Sequence, residues 1–236
     1  MSGILYGIGV GVGDPEDLTL KAVNCIKGSD IICLPKKEKS ECRAFNIAKG
    51  AVPEIEEKEI LSFDFEMIKD KDALKTIHRE IFETVKKLIE DGKKVAFLTI
   101  GDPCVYSTFS YIAQLAKEEG IEVKTISGIN SFTASAARLG ISLCDGDEEL
   151  HVISDVRDLK EALKLPGTKV IMKCVRSMPY IKECLSEHEK DCVENGKNLE
   201  VFAVSECGMQ YEKLYFGIEE LPDEADYMMT ITVKEI

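Results

Sequence analysis

Val95-Ala96-Phe97-Leu98-Thr99-Ile100-Gly101-Asp102-Pro103-Cys104-Val105-Tyr106-Ser107-Thr108 is an apolar run that stops at Gly-Asp-Pro and passes into a helix-compatible segment. A sister turn, Gly13-Asp14-Pro15, closes the apolar run of residues 4–12. Glycine lets the backbone bend where a side chain would clash. Asp suits a helix N-cap and Pro the first helical position. Each stretch therefore reads as strand, sharp turn, helix. In open α/β sheets ligands bind at the carboxyl ends of such strands.

Around the first turn, glycines alternate at 7, 9, 11 and 13. One face of this strand is bare, which permits close approach by a ligand or another strand. The spacing is not the dinucleotide fingerprint. Counted from Gly7 the third glycine falls on Val12, and counted from Gly9 it falls on Asp14; no phosphate-loop sequence occurs either. A helix is expected over 16–27, stopped by Gly28, then a strand over 30–34. Where a dinucleotide fold would place an acidic residue, the chain has Pro35-Lys36-Lys37-Glu38-Lys39. Lys36, Lys37 and Lys39, joined by Arg43, read either as a solvated loop or as a clamp for substrate carboxylates.

A helix over 41–50, a short strand over 54–61 and a charged helix over 65–91 follow. The long helix has one apolar stripe, Leu74, Ile77, Ile81, Val85, Leu88 and Ile89. A central strand spans 94–100, a helix 107–117 and a strand 121–126. Ser127-Gly128-Ile129-Asn130 then turns into a small-residue helix that Ser131 is placed to cap. Residues 143–149 break the pattern, and a domain boundary is expected within 130–145, giving domains of 1–135 and 136–236. In the second, short strands at 150–154, 169–175, 199–204, 212–216 and 227–233 alternate with helices at 158–163 and 178–188. Their short connections predict a mixed sheet with antiparallel hairpins. The fold class is therefore α/β, in two α/β domains. His78 is assigned no role, and His151 and His188 read as structural.

The chain has 236 residues, 44% hydrophobic and 31% charged, enough apolar material for a core. No apolar run approaches the roughly 20 residues of a membrane span. The start enters a strand without a basic segment, so no export signal is expected. Nine scattered cysteines with no C-x-x-C indicate neither a disulfide framework nor a zinc site. They read as small buried hydrophobes in a reducing cytoplasm. Thirty basic against 43 acidic residues give a net charge of −13, which argues against nucleic acid and requires a local basic cluster for any anionic ligand.

Strand-end loops at 7–15, 35–43, 101–108 and 127–132 converge in such a sheet. From the second half, 172–176 and 205–209 end strands in the same way, and 226–230 could close the site. The expected pocket lies between the two domains. It shows no phosphate loop, metal-ligand spacing or Ser-His-Asp order. Its carboxylate, backbone and hydroxyl lining admits an amino-acid–nucleoside with a positive centre, such as S-adenosylmethionine, without singling it out.

The residues Tyr6-Gly-Ile-Gly-Val-Gly-Val-Gly-Asp-Pro-Glu-Asp-Leu-Thr-Leu-Lys-Ala22 resemble the N-terminal signature of the tetrapyrrole methylases. The stretches 101–108 and Gly128-Ile129-Asn130-Ser131-Phe132 resemble that family's second and third motifs. The resemblance spans essentially the whole chain, with one departure, Val12, where the family usually has Pro. Leu-Pro-Lys-Lys, Val-Tyr-Ser-Thr and Val-Ile-Met-Lys-Cys-Val together resemble the branch that methylates C20 of precorrin-2 or cobalt-precorrin-2.

The resemblance implies two α/β domains with S-adenosyl-L-methionine in the cleft between them, in a cytoplasmic homodimer with no nucleic-acid or membrane partner. It implies cofactor contacts at Ile100, Gly101, Asp102, Val105, Tyr106, Ser131, Phe132, Met172, Lys173, Cys174, Gly208, Met228 and Thr230. The tetrapyrrole substrate would meet Gly11, Gly13, Asp14, Lys36, Lys37, Lys39 and Arg43, and no metal is held. The implied reaction is in-line displacement, with C20 attacking the sulfonium methyl; Asp102 and Tyr106 are candidate catalytic residues by location. The rivals are a methylase of the same fold acting on another macrocycle position, a diphthamide precursor or ribosomal RNA, a nicotinamide oxidoreductase, and a non-catalytic corrinoid carrier.

Overall fold

A computed structural model describes residues 3–65, 70–174, 177–225 and 227–236. The expected strand end at Val175 and Arg176, residues 66–69 of the long segment, and Asp226 lie outside the described residues. The chain divides into two compact units, Met1–Asn130 and Ser131–Ile236.

In the first unit, β1 (Ile4–Gly9), β2 (Ile31–Leu34), β3 (Glu59–Ser62), β4 (Lys94–Thr99) and β5 (Val123–Ile126) form one sheet in the order β3-β2-β4-β1-β5. Every pairing is parallel, with Gly7 opposite Phe97 and Thr125, and Cys33 opposite Phe97. The inner strands are buried almost throughout, as two-faced burial of a parallel sheet requires. Leu5, Ile31, Cys33, Val95 and Phe97 face α3 (Lys71–Glu90) and α4 (Phe109–Glu118), which supply Ile81, Phe82, Val85, Phe109 and Ile112. α1 (Leu20–Gly28) and α2 (Arg43–Ala51) also pack on the sheet's strands. Gly7 belongs to the first face, because a Cβ there would overlap the Phe109 ring.

Both Gly-Asp-Pro turns depart from the expected strand-to-helix form. Asp14 caps as expected, accepting from Glu16 N at 2.9 Å with Pro15 first in the helix, but that helix is a three-residue 3-10 turn. α1 begins only at Leu20, capped by Thr19, whose hydroxyl accepts from Ala22 N at 3.1 Å. After Pro103 there is no helix until Phe109. There the Ser107 hydroxyl accepts from Phe109 N at 3.2 Å and lies 3.0 Å from Thr99 Oγ1.

In the second unit, β6 (Leu150–Ile153), β7 (Thr168–Met172), β8 (Leu199–Ser205), β9 (Lys213–Phe216) and β10 (Thr230–Glu235) form the order β6-β7-β10-β8-β9. β6 and β7 are parallel, whereas β10 runs antiparallel to β7 and β8, and β8–β9 is an antiparallel hairpin. This is the mixed sheet expected. α6 (Leu159–Leu163) and α7 (Met178–Glu194) bury Leu159, Leu163, Met178, Ile181 and Leu185 against Ile171, Ala203, Ile231 and Val233. α5 (Ser131–Leu139) packs on β8 and β10 through small residues, with Ala134, Ser135 and Ala136 buried. α7 outruns the expected 178–188 because no Gly or Pro interrupts it before Gly196.

Candidate active site

In a fully parallel sheet all carboxyl ends share one edge, so the loops after β1, β2, β4 and β5 emerge together. Three of them meet backbone to backbone. Gly101 N donates to Gly11 O at 2.7 Å, an isolated bridge joining the two turns. Val10 N donates to Thr99 O at 3.0 Å. A Cβ on Gly9 would stand 2.5 Å from Gly101 O and 2.6 Å from Gly128 N. The bare glycine face, expected to admit a ligand or another strand, is filled by protein: Phe109 lies over Gly7, and the backbones of Gly101 and Gly128 lie over Gly9.

Asp102 fastens this junction. Its Oδ1 accepts from Cys104 N at 2.7 Å and its Oδ2 from Gly128 N at 3.0 Å, and the residue is 8% exposed. Sequence reading placed Asp102 in the site but missed its partner, Gly128, 26 residues on. The carboxylate is turned into the protein, so its position is that of a tie between loops.

What remains open is the outer side of the turn. Gly101 has φ +70°, and a Cβ there would find only Ile129 O, at 3.9 Å. Ile100 and Val105 are half-buried. Tyr106 is half-exposed with φ +50°, a strained value for a residue with a side chain. Cys104 is exposed, and burial followed by the nearby Asp102 charge pushes its thiol pKa up, away from a reactive thiolate.

The basic residues after β2 are less uniform than a four-cation clamp. Lys36 Nζ lies 3.4 Å from Glu41, and Lys39 Nζ sits 4.7 Å above the Phe45 ring. Lys37 is exposed, and Arg43 opens α2. Asp14 and Gly13 are half-buried at the first turn, and Gly11 is buried within the bridge.

The second unit gathers its own group at one sheet edge. Thr230 pairs with both Met172 and Val204, so the residues just past β7 and β8 and just before β10 are neighbours. Lys173 (φ +62°) and Glu206 (φ +49°) both adopt left-handed backbone there. Glu206 was not singled out in the sequence, since its signal is a torsion. Gly208 N donates to Glu212 Oε2 at 2.5 Å, and Arg138 Nε is 3.3 Å from the same oxygen. Met228 is half-buried and Thr230 buried. The Cys174 side chain is core, with burial pushing its pKa up to about 12. At the start of α5, Phe132 is half-buried and Ser131 Oγ is shielded from solvent with no hydrogen-bond partner among the described residues.

Of the histidines, His78 is buried, stacked on Tyr111 at 4.5 Å, and burial pushes its pKa down. His151 Nε2 lies 3.0 Å from Glu149. His78 lies in α3 and His151 in β6.

Residues 4–222 match the family model of the Tetrapyrrole (Corrin/Porphyrin) Methylases. The chain belongs to this family. Among tetrapyrrole methylases of known description, it is 45% identical over 170 residues to a probable cobalt-precorrin-2 C(20)-methyltransferase of Methanocaldococcus jannaschii, covering 72% of this chain and 71% of that one. A precorrin-2 C(20)-methyltransferase of a Sinorhizobium species is 28% identical, covering 99% and 97%. The same fold occurs in a cobalt precorrin-4 methyltransferase (TM-score 0.73, 20% identity, 98% and 94% covered). It also occurs in the uroporphyrin-III C-methyltransferase of Thermus thermophilus complexed with S-adenosylhomocysteine (TM-score 0.71, 20% identity, 98% and 97% covered). No helix among the described residues is long and apolar enough to cross a bilayer.

Proposed function

We propose that this tetrapyrrole methylase transfers a methyl group from S-adenosyl-L-methionine to C20 of precorrin-2 or cobalt-precorrin-2, in the making of cobalamin. The observation that carries this reading is the 45% identity to a probable cobalt-precorrin-2 C(20)-methyltransferase across some seven-tenths of both chains. The site residues fit such a cofactor. Ser131 Oγ is a buried polar atom without a partner among the described residues, and the outer side of Gly101 has room that a Cβ would occupy.

The cofactor contacts proposed are Ile100, Gly101, Val105 and Tyr106 of the first unit, with Ser131, Phe132, Met172, Lys173, Gly208, Met228 and Thr230 of the second; Cys174 would contribute backbone only. S-adenosylmethionine supplies a methyl group already activated by its sulfonium. The protein's share is therefore positioning and exclusion of water. Gly101 brings bare backbone to the ligand, while Asp102 holds the turn against Gly128 and is assigned no proton transfer. Gly11, Gly13 and Asp14 would border the macrocycle. Lys37, with Lys36, Lys39 and Arg43 once their partners yield, would meet its carboxylates. A cytoplasmic homodimer is the assembly proposed.

The test is an anaerobic assay with metal-free and cobalt-loaded precorrin-2 side by side, using S-adenosylmethionine labelled in the methyl carbon. Label at C20 in either product supports the reading. Label at another carbon supports the rival macrocycle position, and no transfer to either substrate refutes both.

A further inference from the structure

The far side of the second unit holds a group of side chains that methyl transfer does not use. His188 and Cys192 are four residues apart on α7, hence on one helix face. β10 places Glu235 opposite them. His188 Nε2 is 3.1 Å from Glu235 Oε1 and 3.7 Å from Cys192 Sγ, and one donor atom from each residue lies within 4.8 Å of the others. We propose that His188, Cys192 and Glu235 form a binding site for one divalent ion of borderline softness, of the zinc class, which ties α7 to β10.

Three observations carry this. The first is the donor set: an imidazole, a thiol and a carboxylate are the ligand types such an ion takes. The second is spacing. A tetrahedral ion with ordinary bond lengths sets its ligands roughly 3.4–3.6 Å apart; His188 Nε2 and Cys192 Sγ, 3.7 Å apart, stand close to that range, and a Glu235 oxygen lies within 4.8 Å of both. The two helical donors are spaced i, i+4, which lets one helix present both to a single ion. The third is access. A surface recess of about 330 Å³ opens onto these side chains, lined also by Lys164, Asp191, Asn195 and Lys197. It gives the ion a path in and a water molecule room for the fourth position.

Two lysines compete for the carboxylate. Lys169, fully buried, lies 2.5 Å from Glu235 Oε1, and Lys197 lies 2.9 Å from Oε2. The side chain of Lys197 is 55% exposed, so its ammonium can exchange the carboxylate for water and leave an oxygen to the ion. Lys169 stays and balances the Glu235 charge. Binding forms an ion–sulfur bond and releases the Cys192 thiol proton to solvent.

Titrating Co²⁺ anaerobically into the full chain tests this, with Zn²⁺ as competitor. The expected result is one equivalent bound, with a thiolate-to-metal charge-transfer band and tetrahedral visible bands that Zn²⁺ abolishes. Saturating Zn²⁺ should raise Tm by roughly 5–10 °C. Cys192→Ser should lose the charge-transfer band, and His188→Gln should weaken Co²⁺ binding at least tenfold. A wild type without the band overturns the proposal, as does a band that persists in Cys192→Ser, which would place the ion on another cysteine. Should Cys192→Ser fail to fold, His188→Gln decides: unchanged Co²⁺ affinity overturns the site.

Discussion

At Gly128 a methyl group would overlap Gly101 O and stand 2.8 Å from both the carbonyl carbon and the Cα of Gly9. All three contacts are backbone, with no flexible side-chain end to move aside. Gly128→Ala should therefore cost more than 2 kcal/mol in urea unfolding. Gly101→Ala meets open space but a φ of +70°, and should cost only about 1–2 kcal/mol. Equal, small losses in both would contradict the packed junction. Asp102→Ala removes two buried acceptors of backbone N–H groups and should cost about 2–3 kcal/mol. It should also weaken S-adenosylhomocysteine binding at least tenfold in calorimetry, while Asp102→Asn, keeping one acceptor oxygen, should lose less. Equal losses from both substitutions would remove the tie from the account. The glycines were legible as a pattern in the sequence. Their purpose was not, because alternate glycines look the same whether ligand or backbone fills the space above them.

Among the elements, the strands were the best read, since a buried parallel strand is a near-continuous apolar run. Helix starts were read less well. Asp-Pro is a good local opening, yet in both turns the chain winds for several more residues before an α-helix can dock on the sheet. The β2–α2 connection shows a similar gap between residue type and pairing. Four cations were visible in the sequence, but Glu41 beneath Lys36 and Phe45 beneath Lys39 were not. Lys37→Glu should therefore raise the KM for the tetrapyrrole more than Lys36→Glu does, with the difference shrinking as salt rises. A larger effect at Lys36 would contradict this ranking.

The ladder's far end carries a different risk. Glu235 is raised by burial, but the hydrogen bonds and charge of Lys169 and Lys197, helped by His188, outweigh that and hold it at about 2. A carboxylate held below its unfolded value near 4.5 stabilises the fold above that pH. The stability is lost as pH falls from about 4.5 towards 2, and amounts to about 3 kcal/mol. Glu235→Gln should lose a similar amount at pH 7, because Lys169 is left buried beside a neutral group. An unchanged urea midpoint at pH 7 would show that the pairing contributes nothing.

For the whole molecule, composition excluded more than it identified. A net charge of −13 and the failed dinucleotide spacing argue against two classes of partner. Motifs carried the family, and the 4–222 match and shared fold agree with them. The central claim is that the loop edge built on Gly9, Gly101 and Gly128 receives a sulfonium donor. A crystal structure with S-adenosylhomocysteine tests it most directly. The account predicts the ligand against the Gly101–Val105 turn, with a hydrogen bond to Ser131 Oγ. A ligand bound away from that turn, or no binding at saturating concentration, would contradict it.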